Sequence, residues 1–307
     1  MTLAIAVSAT LVAVTAAARS TWSPCGLSML STITPISERA KGNSYRSTAM
    51  WFVAGATVGG ATLGAAMAGL AGAVRSVDLS PTAAGLLATG AALIAAASDA
   101  GVVGLRLPIH RRQVNERWLD QYRPWVYGSG FGWQIGTGLA TYITTAAVYL
   151  MVVLGALTAD PVTALAVGTA FGLLRGLAVL LTRRMTDPSA LRRFHRRFQL
   201  VGPWVSRVVV VVETGTAIAM VSYLRSPAAL VMIGVAVIGV AVIGIAVGAP
   251  PAALIAKRSV RVAAPACPLP AAVSSPAGRA RTAVAIDASG SDVPVDLVGH
   301  GALSPRD

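Results

Sequence analysis

Two groups of side chains in this chain could do chemistry. The first is a thiol, Cys25, held in Trp22-Ser23-Pro24-Cys25-Gly26 within an apolar stretch. A cysteine there is either a reactive thiol or a small buried packing residue. The only other cysteine, Cys267, sits in Pro265-Ala266-Cys267-Pro268, with no C-x-x-C arrangement. Thiol–disulfide relay needs a second thiol to resolve the mixed disulfide, so one core cysteine does not support it alone. The second group is a set of ionisable residues inside apolar runs: Arg19, Asp99, Arg175 and Glu213. An ionisable group in hydrocarbon costs at least about 2.5 kcal/mol, so each needs a partner or a cavity. A structural ion pair and a substrate or proton site meet that need equally well. Glu213 is the most interior acid. Arg175 is expected either to snorkel to the surface or to pair with Glu213 or Asp99. His110, His195 and His300 are scattered and have no companions at ligand spacing, so neither a metal nor another cofactor is expected. No nucleophile, base and orienting acid stand at useful spacing, which disfavours hydrolase chemistry.

The elements that must position these groups follow from composition. Of 307 residues 55% are hydrophobic and 12% charged, with 31 Gly, a combination foreign to soluble domains. The chain reads as an all-α polytopic membrane protein. Its net charge of +13 would suggest nucleic acid in a soluble chain. Here the arginines gather between apolar spans, as in cytoplasmic loops, so membrane lipids are the expected partner and nucleic acid is not.

Seven apolar spans are expected. The first, Leu3 to Ser37, has Arg19 as its only charge, and the fourth, Pro124 to Ala159, has none. Both exceed the roughly 20 residues of a straight crossing, so both must be broken or re-entrant. The others are Thr48 to Val74, Pro81 to Leu105, Pro161 to Thr182, Leu200 to Leu224, and Ala228 to about Ala249. Basic residues cluster in alternate connections: Arg39, Lys41 and Arg46; then Arg106 to Arg123; then Arg183 to Arg197. This places the N-terminus outside and the C-terminal segment in the cytoplasm of a multi-pass cell-membrane protein. Ala16-Ala17-Ala18 offers a cleavage-like pattern, but the positively charged start of a signal peptide is missing. The transmembrane domain is expected over residues 1–249. Residues 257–307, rich in Pro, Ala, Ser and Gly, read as a disordered cytoplasmic tail.

The two long spans are interrupted at comparable places. Trp22 precedes Pro24, and Pro35 follows; Trp133 precedes Gly136, Thr137 and Gly138, and the two tryptophans stand 111 residues apart. Unwound backbone at membrane depth survives only where protein buries it or it lines a cavity. Three spans from outside followed by three from inside give an inverted repeat, about 1–105 and 124–224, with the span at about 228–249 appended. Gly55 with Gly59, Gly60 with Gly64, and Ala68 with Gly72 provide small-residue spacing for close helix approach. Thr137, Thr141, Thr144 and Thr145 either bond back to their own helix or line a polar path.

Ser23-Pro24-Cys25, followed by a second broken span carrying Gly130-Phe131-Gly132-Trp133, resembles the membrane domain of the CcdA/DsbD thiol-redox family, itself similar to LysE-type transporters. The resemblance covers about residues 1–224. It implies two kinked helices, each holding a cysteine after a proline, and a dithiol that carries electrons across the membrane with a thiol-redox or cytochrome-assembly partner. Cys25 falls on the first such cysteine. Gly132-Trp133-Gln134-Ile135-Gly136 lacks both the second proline and the second cysteine. Two functions are therefore expected as alternatives: movement of a small solute, ion or reducing equivalent, or a redox-inactive scaffold or accessory subunit.

Overall fold

The computed structural model describes residues 2–101, 122–140 and 143–224, together with Gly234. The span expected at 228–249, the tail at 257–307, Cys267, Thr141 and most of the connection at 106–123 lie outside the described residues. Nine α-helices fill the rest: α1 (Thr2–Ser20), α2 (Pro24–Thr32), α3 (Pro35–Ala40), α4 (Tyr45–Val77), α5 (Pro81–Asp99), α6 (Pro124–Gly136), α7 (Ala147–Leu157), α8 (Pro161–Leu177) and α9 (Pro188–Ser222). A 3-10 turn, Ala178–Thr182, continues α8. Proline opens six of the nine, at the position where its missing N–H would have no intrahelical partner. Pro24 and Pro35 therefore act as starts of new helices. Ser23 and Thr34 cap them, accepting from the N–H groups of Gly26 and Ser37 at 3.1 Å.

Among the described residues five helices are long and apolar enough to cross a membrane: α1, α4, α5, α8 with its 3-10 turn, and α9. This is compatible with a multi-pass membrane protein. The first long stretch is broken at Thr21 to Ser23, but α1 is already a full span, so α2 and α3 are short additions after it. The second stretch differs. At 13 and 11 residues, α6 and α7 are each about 16–20 Å long, too short to cross alone. Its interruption lies at Thr137 to Ala146.

Glycine sets how these helices meet. α4 packs along both α6 and α8. A Cβ at Gly60 would stand 2.5 Å from the Gly168 carbonyl oxygen and 2.7 Å from Gly172 Cα, and one at Gly64 2.6 Å from the Leu165 carbonyl oxygen. Cβ atoms at Gly55, Gly59, Gly132 and Gly136 would overlap backbone of the facing helix. The expected pairs at Gly55/Gly59 and Gly60/Gly64 thus do bring backbones into contact. Gly72 faces open space and does not.

Two apolar clusters result. The larger joins α1, α5, α7, most of α8, and the C-terminal parts of α4 and α9, and includes Met67, Met151, Leu154 and Phe171. The smaller joins α2, the start of α4, α6 and the start of α9, through Met29, Leu30, Phe52, Tyr127 and Phe131.

The arginine-rich segment Arg192 to Arg197, expected as a loop, is helical, and α9 starts at Pro188, well before Leu200. Asp187 caps it, accepting from Ala190 N–H at 2.8 Å, which with the Ser189 hydroxyl holds its carboxylate below the usual range. Its Phe194 and Phe198 turn inward, Phe198 stacking on Trp22 at 4.1 Å, while Trp22 Nε1 donates to the Phe198 carbonyl at 2.8 Å. The segment is amphipathic, and its arginines are the exposed face.

Candidate functional site

α6 ends at Gly136, and the turn beyond it caps its last carbonyls: the Trp133 carbonyl accepts from Thr137 N–H at 3.0 Å and the Ile135 carbonyl from Gly138 N–H at 3.1 Å. Arg175, only 3% exposed on α8, donates from Nη1 to the Ile135 carbonyl at 2.6 Å and lies over the Phe171 ring at 5.6 Å. A cation at the C-terminal end of a helix also meets the favourable pole of its dipole. Neither expected fate of Arg175 is observed: it does not snorkel, because it is buried, and its partner is a backbone carbonyl. Arg175 is within electrostatic reach of Cys25. Further along the same helix line, Thr182 Oγ1 donates to the Ile33 carbonyl at 2.9 Å, at the end of α2. α8 and the 3-10 turn that continues it thus supply donors to both broken segments.

The other side of the second break is served by an acid. Asp99, at the end of α5, accepts from Thr145 Oγ1 and, at 2.7 Å, from Ala146 N–H. It sits at the N-terminus of α7, where a carboxylate is stabilised by free N–H groups and the positive pole. Arg19 on α1 and Glu213 on α9 both interact electrostatically with it. The interruption between α6 and α7 is therefore bracketed by Arg175 on one side and Asp99 on the other.

Glu213 differs from both. It is fully buried in α9, and among the described residues neither carboxyl oxygen has a hydrogen-bond partner. Thr144 Oγ1, adjacent to the residue that binds Asp99, and Thr214 Oγ1, adjacent to Glu213, are also buried without partners among the described residues. Thr137 does what membrane threonines commonly do, donating to its own helix at Gln134, 2.8 Å away.

The remaining expected site residues separate into groups. Cys25 is 1% exposed and packs in the smaller cluster with Met29 and Phe131. Gly26 lies against the Thr21 carbonyl, and Gly136 against the Ala56 carbonyl. Gly138 has a positive φ of 67° and a Cβ there would meet Phe171 at 2.7 Å, so this turn requires glycine. Pro24 is exposed and Pro35 half-buried. Trp133 is 43% exposed, whereas its counterpart Trp22 is half-buried against Phe198. The packing predicts that Cys25 in folded protein resists a membrane-impermeant thiol reagent, with Cys267→Ser as background, and reacts only after denaturation. Labelling of the folded protein from either side would show instead that α2 lines an aqueous path.

One buried acid escaped sequence reasoning. Glu38 sits among Arg39 and Lys41 and reads as part of a basic loop, yet it is 0% exposed and its Oε2 accepts from Thr48 Oγ1 and Tyr127 OH, both at 2.6 Å. It ties α3 to α4 and α6. Its only sequence signal is Thr34, three residues before Ser37, which starts α3. Compared with known proteins, the chain matches no family model, no curated protein and no solved structure.

Proposed function

We propose that this chain is a membrane transporter that moves a small solute or ion, coupled to a proton carried by Glu213. The observation that carries the reading is a carboxyl buried in the middle of a spanning helix with both oxygens unbonded among the described residues. An unpaired carboxylate in such a place is very costly, and a proton is the simplest way to neutralise it. Asp99 provides the neighbouring charge through which its protonation is sensed, and Arg19 interacts in turn with Asp99. The broken helix between α6 and α7 supplies the movable element. Its ends are held by side chains, Arg175 and Asp99, whose bonds can be exchanged for bonds to a substrate.

Pairwise packing of α4 with α8 and of α5 with α9 supports the inverted repeat expected from sequence. The positive-inside pattern supports an external N-terminus. A dithiol relay of the CcdA/DsbD kind is not part of this reading: Gly136, where the second cysteine of that family would stand, leaves no room for a side chain beside the Ala56 carbonyl. The same tight seating of α6 on α4 favours the second reading, a scaffold with no moving part.

Proton movement separates the two. In vesicles with an entrapped pH-sensitive dye and an imposed membrane potential, wild-type protein is expected to admit protons faster than empty vesicles, and Glu213→Gln to return the rate to the empty-vesicle level. Equal rates for wild type and Glu213→Gln, or no wild-type rate above background, would favour the scaffold.

A further inference from the structure

A second feature stands apart from the interior charges. A groove of about 820 Å³ opens on the outside of the bundle between the start of α4 and the end of α8. Its walls are apolar, formed by Met50, Val53, Leu177 and Leu180, and Met50 is 72% exposed. Three exposed arginines line the same groove: Arg46 from α4, and Arg183 and Arg184 from just beyond the 3-10 turn. No acid is among the described residues that line it. The Tyr45 hydroxyl fixes the two sides, donating to the Val179 carbonyl at 2.9 Å and lying 3.2 Å from Thr182 Oγ1. The N-cap of α4, Ser44, makes no side-chain cap bond, and the positive pole of this 33-residue helix lies at the arginine end of the groove.

We infer that this groove holds one phospholipid with an anionic headgroup, its phosphate between Arg46, Arg183 and Arg184 and an acyl chain along Met50 and Leu180. The match is one of charge and shape together. A free phosphate would use the arginines and leave the apolar walls in water; a zwitterionic lipid would use the walls and bring its own cation against three arginines. Only an anionic amphiphile meets both halves, and basic pockets beside membrane spans are suited to such headgroups. Guanidinium groups also give phosphate paired N–H donors in matching geometry. Because Thr182, which reaches the Ile33 carbonyl, lies in the turn just before Arg183, a lipid here would bear on the element that holds α2. This proposal is independent of proton coupling, since it uses none of the same residues.

The test is lipid retention by delipidated, purified full-length protein, read by native mass spectrometry after addition of dioleoyl-phosphatidylglycerol or dioleoyl-phosphatidylcholine in mixed micelles. Retention of one phosphatidylglycerol and little phosphatidylcholine is expected. Arg46→Gln with Arg183→Gln and Arg184→Gln should weaken phosphatidylglycerol binding by roughly 100-fold, about fivefold for each arginine. Ala54→Trp, which fills the groove and keeps all three charges, should abolish it as well. Excess inorganic phosphate should not displace the lipid. Equal retention of both lipids, wild-type retention by the triple variant, unchanged binding by Ala54→Trp, or displacement by phosphate would each overturn the proposal. All three arginines are exposed, so a folding defect is not expected to obscure the result.

Discussion

Gly60→Ala is expected to destabilise the protein by about 3 kcal/mol, whereas Gly69→Ala, the same change in the same helix, is expected to be neutral or to stabilise it by up to about 1 kcal/mol. Both glycines lie inside α4. Replacing either by alanine removes the backbone entropy penalty that glycine brings to a helix. At Gly69 nothing lies within 4 Å of the added methyl, so that gain stands alone. At Gly60 the methyl meets the Gly168 carbonyl oxygen at 2.5 Å and Gly172 Cα at 2.7 Å, both backbone, which cannot swing aside as a side chain can. α4 and α8 must then separate. In a lipid environment no hydrophobic force between helices offsets lost van der Waals contact. Gly172→Ala opens the same contact from the other side, its methyl standing 2.5 Å from Gly60 Cα. The two changes together should therefore cost clearly less than the sum of the two alone. Thermal unfolding of detergent-solubilised protein, followed by size-exclusion fluorescence, would check the set. Similar melting for Gly60→Ala and Gly69→Ala would mean that the α4–α8 seam is not as close as described here.

That seam was legible in the sequence because small-residue spacing has one dominant meaning in an apolar helix. The breaks were legible too: Pro24 and Pro35 can only start or interrupt a helix, and Gly136 with Gly138 loosens one. What stayed hidden depended on partners that are distant in the chain or lie on the backbone. Arg175 was expected to find an acid or the surface and instead serves the Ile135 carbonyl, a group that every sequence contains and none advertises. Asp99 reads equally well as an interfacial residue until Ala146 N–H is placed against it. The arginine-rich start of α9 reads as a loop from its charge, although Asp187-Pro188 is a helix-start signal and Phe194 and Phe198 stand four apart. Charge density outweighed periodicity there, and periodicity was the better guide. Glu38 was obscured in the same way by its basic neighbours.

The two acids of the interior should respond oppositely to removal. Asp99→Ala is expected to cost about 3 kcal/mol or more. It strips the bonded partner from Ala146 N–H and Thr145 Oγ1 at once, each a part-buried donor whose loss is worth roughly 1–3 kcal/mol. It also removes a negative charge from the N-terminal pole of α7, and leaves Arg19 without the acid it faces. Asp99→Asn keeps one acceptor oxygen and should fall between alanine and wild type. Glu213→Leu has none of these consequences, because no hydrogen bond to a described residue is broken when Glu213 is replaced. Exchange of a buried, unbonded carboxyl for an apolar side chain of similar size relieves desolvation, so stability should hold or rise by about 1–3 kcal/mol. If Glu213 carries the coupling proton, the variant that is at least as stable as wild type is the one that cannot move protons, as expected where function is maintained against stability. Thermal melting and proton entry measured on the same preparations would separate the possibilities. A loss of several kcal/mol in Glu213→Leu would make the acid a structural partner and remove the ground for proton coupling. Stable protein with abolished proton entry would tie the unbonded carboxyl to transport.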